Sequence, residues 1–166
     1  MSEVKPVILV EYNDEWPKLF DDEKARLRNR GGELVVEIEH IGSTSVPGLS
    51  AKPIIDILLG VKKLEDADTL VDVFSREGYK YAPQHEDLLP ERRFMSKPGF
   101  HLHMTEYGNL FWRKHIFFRN YLRSHAEVRA EYAQLKTMLA GKYRNDRSAY
   151  TDSKSDFINS ILMKMP

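Results

Sequence analysis

Ile54-Ile55-Asp56-Ile57-Leu58-Leu59 is an apolar, β-branched run with one carboxylic acid in its middle. Such a run marks a central strand, covered on both faces. A carboxylate there costs several kcal/mol unless a cation, a metal ion or a solvent-filled cleft compensates it. The run therefore demands a sheet-centred fold with something special at Asp56. It is entered through a connection dense in turn residues and hydroxyls, Gly42-Ser43-Thr44-Ser45-Val46-Pro47-Gly48-Leu49-Ser50-Ala51-Lys52-Pro53. Glycine lets backbone amides approach a phosphate closely, and serine adds a hydroxyl donor. The order suggests a phosphate-cradling turn followed by a metal-holding carboxylate. The plainer alternative is a turn between strands, with Asp56 paired to Lys52 or an arginine.

The rest of the chain predicts the frame around this segment. Asn13 or Asp14 can cap a helix starting near Trp16-Pro17, with Leu19, Phe20 and Leu27 as its buried stripe and Gly31-Gly32 at its end. Val7 to Val10 reads as an edge strand or an extended arm. Alternation predicts strands over 33–41 and 54–61, a helix over 64–77 stopped by Gly78, a short strand over 79–82 and a polar loop over 83–90. A hairpin over 91–96 and 100–106 turns at Lys97-Pro98-Gly99. After Gly108 the pattern becomes helical, with segments 110–122, 127–140 and 148–163. The expected class is α+β: one domain over 1–166, with a sheet portion over about 1–108 and a helical tail over about 109–166.

Charge and composition exclude several functions. Lys+Arg and Asp+Glu both number 25, so the net charge of zero offers no general nucleic-acid signal. No apolar run approaches the roughly 20 residues of a membrane span, and Met1 to Tyr12 lacks a secretory pattern. There is no cysteine, which rules out disulfides, thiol catalysis and cysteine-ligated metals. A cytoplasmic setting is expected.

Three more groups carry chemistry. His101 and His103 stand two apart on a strand and so share a face, a common beginning for a metal site. Solvent-facing histidines on an amphipathic strand are the alternative. His40 is a candidate to complete a cluster with Asp56, and Glu39 is a distant candidate for a second acid. Arg119 and Arg123 are four apart on one helix face, suited to bidentate phosphate contacts, or simply solvated with Glu127 nearby. Lys154 follows Tyr150-Thr151-Asp152-Ser153 at the start of the last helix, where an anion is favoured or Asp152 merely caps.

Taken together, His40 to Ile57, His101-Leu102-His103, Phe118 to Arg123, Glu131 to Lys136 and Tyr150 to Lys154 closely resemble the successive blocks of the GrpB family, in the same order and over nearly the whole chain. That family is similar to the nucleotidyltransferase superfamily that includes DNA polymerase β. The resemblance implies a mixed sheet, a glycine-serine turn matched by Gly42 and Ser43, and a magnesium-holding strand acid matched by Asp56. Leu58 stands where the superfamily's second acid would be.

The expected function is a metal-dependent nucleotidyltransferase-like enzyme that moves a nucleoside monophosphate from a nucleoside triphosphate to an acceptor. Gly42, Ser43, Thr44, Lys52, Arg119, Arg123 and Lys154 would hold phosphates. Asp56, His101 and His103 would hold Mg²⁺ or Mn²⁺, with Zn²⁺ as the other option, and His103 or His40 would act as base. Two alternatives stand beside it. One is a non-catalytic nucleotide- or coenzyme-binding module, since domains resembling this one occur fused to dephospho-coenzyme A kinase. The other is a metal-dependent hydrolase using the histidine pair.

Overall fold

The computed structural model describes residues 6–166, so the first five residues of the expected unit lie outside the described residues. Five strands form one mixed sheet: β1 (Glu37–Ile41), β2 (Ile55–Val61), β3 (Lys80–Tyr81), β4 (Arg92–Lys97) and β5 (Phe100–Glu106), in the order β1-β2-β5-β4-β3. The β2·β5 pair is parallel and the others are antiparallel. Among the described residues six α-helices complete the fold: α1 (Trp16–Gly31), α2 (Leu64–Ser75), α3 (Leu110–Ser124), α4 (Ala126–Lys142), α5 (Arg147–Ser153) and α6 (Ser155–Leu162).

Strand alternation divides the sheet into two chemically different faces. Ile55, Ile57, Leu59 and Val61 of β2, with Ile38 of β1, Leu102 and Met104 of β5 and Met95 of β4, pack against Phe20 and Leu27 of α1 and Leu70 and Phe74 of α2. This is the main core. On the other face Leu58 and Ile41 meet Phe111 and Trp112 of α3. The approach is close: a Cβ on Gly60 would lie 2.9 Å from the Trp112 ring. The run 54–59 is thus covered on both sides, and Asp56 falls on the α3 side, beyond the end of that apolar contact.

The helical part carries smaller cores of its own. Val46 and Leu49 of the hydroxyl-rich connection pack with Leu122, Tyr132 and Ile161. Val7 packs with Leu139 and Tyr150. The arm 7–10 is extended and joins the connection through a single bridge, Val10 to Ala51. No described helix is long and apolar enough to cross a membrane.

Several local expectations shift. The strand expected from residue 33 starts at Glu37, because Gly32–Leu34 forms a 3₁₀ turn after the left-handed Gly32. On α1 the buried positions are Trp16, Phe20, Glu23 and Leu27, and Leu19 is exposed. Glu23 can be buried because Tyr79 Oη donates to it at 2.9 Å and Lys97 Nζ at 2.6 Å. The polar loop contains a 3₁₀ turn, Pro83–Asp87. The last expected helix is two, α5 and α6, separated at Lys154, whose amide bonds three residues back to Thr151. That tighter 3₁₀-type turn breaks the α ladder.

Candidate functional site

Eight of the residues expected to carry chemistry line one cavity of about 400 Å³: Gly42, Ser43, Thr44, Lys52, Asp56, His101, His103 and Lys154. The strand register explains the meeting. Asp56 pairs with His101 across the parallel ladder, and His103 lies two residues further on the same face. The connection 42–54 crosses the end of β2, and α3 to α6 close the other walls.

Asp56 sits at the centre of the chemistry. His103 Nε2 lies 3.2 Å from its Oδ1, and His101 Nδ1 lies 3.6 Å from the same oxygen. Burial pushes this carboxyl up, but the two imidazoles outweigh burial and hold it well below the usual carboxylate range. Both imidazoles face Oδ1, which leaves Oδ2 beneath the turn. There a Cβ on Gly42 would come within 2.6 Å of Oδ2. Gly42 has φ 74 and ψ −176, a conformation open essentially to glycine. The backbone of the turn and the carboxylate are therefore brought together by the absence of a side chain.

The two histidines differ in role. Arg92 Nη1 lies 3.1 Å from His103 Nδ1. Arginine only donates, so Nδ1 accepts and the proton of a neutral His103 sits on Nε2, facing Asp56. Burial lowers the pKa of His103 and keeps it neutral, with Asp56 opposing the shift. In this arrangement His103 orients the carboxylate, and its Nε2 lone pair is not offered to a metal or a substrate proton. His101 is the more exposed of the pair, with 36% of its side chain accessible against 13% for His103. With Nδ1 toward Asp56, the Nε2 of His101 is left as an acceptor.

The remaining lining is basic and aromatic. Lys114 and Lys136 join Lys52 and Lys154, so four lysines face a single carboxylate. Lys136 is 1% exposed; its Nζ donates to Ser43 Oγ at 2.8 Å and to the Ser50 carbonyl at 2.5 Å. Burial, then the charges of Lys154 and Lys52, lower its pKa to about 7. Lys154 falls to about 8 through burial and the charge of Lys52. The Lys52 and Lys154 ammonium groups stand 5.4 and 4.5 Å from the Tyr150 ring centroid. Lys52, Lys136 and Lys154 are crowded in partial to full burial, with Lys114 exposed at the edge, and an anion would relieve that crowding.

Three expected participants lie elsewhere. His40 is on the opposite face of β1, stacked on Phe20 at 4.8 Å and bonded through Nε2 to Thr44 Oγ1 at 2.9 Å. It supports the turn from beneath, and burial lowers its pKa to about 4. Arg119 is outside the cavity lining, with Nη1 2.6 Å from Glu39 Oε2 and 3.0 Å from the His40 carbonyl. Arg123 Nε donates to the Ser45 carbonyl at 2.9 Å. Both arginines brace the back of the turn. Glu39 is thereby engaged, and its cross-strand partner is Leu58, not Asp56.

The donor set decides what metal chemistry fits. Among the described residues no three histidine, aspartate or glutamate side chains converge as a metal cage. Magnesium needs fewer protein ligands, one or two carboxylates with phosphate oxygens and water. An ionised Asp56 with Oδ2 under a bare glycine fits an ion shared with a ligand's phosphates.

Lys114, His115, Tyr132, Lys136 and Tyr150 line the cavity without having been singled out as site residues from the sequence. For Lys136 a signal was present: it interrupts the apolar stripe Tyr132, Leu135, Leu139 of α4, as Asp56 interrupts its strand.

Comparison with known proteins agrees with this architecture. The chain is 38% identical to the glutamate-rich protein GrpB of Alkalihalophilus pseudofirmus, covering 96% of this chain and 95% of that one. It is 37% identical to the Bacillus subtilis protein YqkA over 94% of this chain, but spans only 46% of that longer relative. A dephospho-CoA kinase of Mycolicibacterium paratuberculosis matches at 31% identity over 67% of this chain and 28% of the kinase. Among solved structures, the conserved protein GrpB from Enterococcus faecalis superposes with a TM-score of 0.86 at 36% identity, covering 95% of this chain and 96% of that one. A cytoplasmic RNA terminal U-transferase superposes with a TM-score of 0.54 at 13% identity, over 76% of this chain and 40% of that one, a likeness of fold. The family model described as GrpB protein matches residues 6–164, and the chain belongs to the GrpB family.

Proposed function

We propose that the cavity binds the phosphates of a nucleoside triphosphate together with one divalent ion, and that the protein is a nucleotidyltransferase-like enzyme. The observation that carries this reading is the convergence of the 42–45 turn, the ionised Asp56 and four lysines on one cavity. Mg²⁺ or Mn²⁺, held by Asp56 and the ligand's phosphates, would neutralise charge on the transferring group. The turn amides, Ser43 and the lysines would fix the phosphates and stabilise developing charge by position. In the transfer, an acceptor hydroxyl oxygen bonds to the α-phosphorus. The bond from that phosphorus to the bridging oxygen breaks, and pyrophosphate leaves. His101, oriented by Asp56 through Nδ1, is placed to take the hydroxyl proton on Nε2. Dependence on a nucleoside triphosphate puts the proposed activity in the cytoplasm.

One observation favours the non-catalytic module as the second reading. Leu58, where a second acid would stand, is fully buried against Phe111 and Trp112. The likeness to a dephospho-CoA kinase suits an accessory role near nucleotide or coenzyme chemistry. Product formation from an α-labelled triphosphate separates the two readings.

Binding itself is tested by calorimetric titration of each of the four ribonucleoside triphosphates with Mg²⁺ between pH 6.5 and 9. At least one should bind at pH 7, and its affinity should fall as pH rises. Lys136 and Lys154, with pKa values near 7 and 8, are charged below those values and lose their protons above them. Binding at high pH must then recapture both protons, which costs on the order of several hundredfold in affinity between pH 7 and 9. The phosphates are already mostly ionised at pH 7, since their second ionisation lies near pH 6, and any further ionisation toward pH 9 adds negative charge, so it does not account for a fall in affinity. No binding by any of the four overturns the proposal.

A further inference from the structure

We infer that the groove adjoining the cavity is an acceptor site for a small phosphorylated molecule. This rests on the nucleotide reading above and names the second substrate's chemical class. The groove encloses about 720 Å³ and shares Lys52, Ile54 and His101 with the cavity. A molecule seated there would therefore present a hydroxyl beside His101 and Asp56, where an acceptor is needed.

Its lining is cationic and, among the described residues, contains no carboxylate. Lys52, Lys80, Lys97 and Arg147 contribute the charges. Lys97 is neutralised by Glu23 at 2.6 Å, so its charge is committed to the core. Lys80 is exposed at the rim. Arg147 is the strongest pointer to a ligand, because its Nε is buried and has no hydrogen-bond partner among the described residues. A buried donor left unmatched costs free energy that a bound acceptor would restore. Arg147 also acts on Lys52, whose pKa is lowered by burial and then by the arginine's charge. Arg147 in the groove thus stands near Lys52, which lines both spaces. Guanidinium and ammonium groups around a partly apolar floor, with Phe100 and Pro98 among its walls, suit a phosphate on a small organic body.

The test uses the full chain, with amide shifts followed by NMR. Inorganic phosphate is titrated into the free protein, and Mg²⁺ with ATP is titrated separately. Phosphate should move the amides of Ser96, Gly99 and Phe100 at low millimolar concentration. Lys80→Ala with Arg147→Ala should weaken that response at least tenfold, with the spectrum otherwise that of a folded chain. The ATP-induced shifts of Ser43 and Thr44 should be unchanged in the same variant. The inference is overturned if phosphate moves only the turn amides, or if the double variant responds like the parent. If ATP moves nothing while phosphate moves the groove amides and the variant abolishes this, the nucleotide reading fails and the groove stands as an anion site on its own.

Discussion

Asp56→Asn should abolish the magnesium-dependent part of nucleotide binding and lower any transferase activity by at least about 100-fold. Asparagine keeps an oxygen for the His103 donor now 3.2 Å away, so the local fold should persist, with a loss of about 1 kcal/mol from the weaker neutral hydrogen bond. The charge is another matter. Among the described residues, Asp56 is the only carboxylate facing Lys52, Lys114, Lys136 and Lys154 in the cavity lining. Its removal leaves the lysines unopposed, so ATP without metal should bind the variant more tightly than the parent. Thermal-shift curves with ATP, with and without Mg²⁺, read both effects. In the parent, Mg²⁺ should enlarge the upshift; in the variant, the upshift should be larger without metal and indifferent to it. A magnesium increment that survives in the variant contradicts the assignment of Asp56.

Gly42→Ala should have the larger effect on the fold. The position combines φ 74 with ψ −176, which costs a residue with a Cβ about 1–3 kcal/mol. The added methyl would also stand 2.6 Å from Asp56 Oδ2 and 3.1 Å from Asp56 Cβ. Neither neighbour can yield easily, because β2 is central in the sheet and His103 holds the carboxylate. A midpoint drop of roughly 5–10 °C is expected for a chain of this size, with loss of the nucleotide response. Gly48→Ala is the internal comparison. Gly48 also has a positive φ, 84, but no atom lies within 4 Å of its added Cβ. It should show the backbone penalty alone and keep the nucleotide response. Equal behaviour of the two variants would mean that the approach of Gly42 to Asp56 has no part in the site.

What the sequence revealed and what it hid follow from the range of the interactions involved. Asp56 was legible because a charge in an apolar strand is a local contradiction, and the 42–45 turn because glycine and hydroxyls announce it. The shared face of His101 and His103 follows from strand period alone. The assignment of their roles needed Arg92, eleven residues from His103 and on the neighbouring strand. His40 is one residue from Glu39 and Ile41, so it faces away from them, but which face held Asp56 depended on the pairing of Ile41 with Asp56. The helix period put Arg119 and Arg123 together without showing whether they faced a ligand; Glu39, 80 residues earlier, takes Arg119. The break at Lys154 was invisible because 148–163 keeps its apolar spacing through it.

The central claim is that a triphosphate occupies the cavity above Asp56. A crystal structure grown with Mg²⁺ and an ATP analogue that cannot be cleaved between the α- and β-phosphates tests it most directly. The expected result is phosphate density within hydrogen-bond reach of Ser43, Lys136 and Lys154, with the ion between it and Asp56 Oδ2. A nucleotide bound elsewhere on the chain, with this cavity holding none of its phosphates, would contradict the claim.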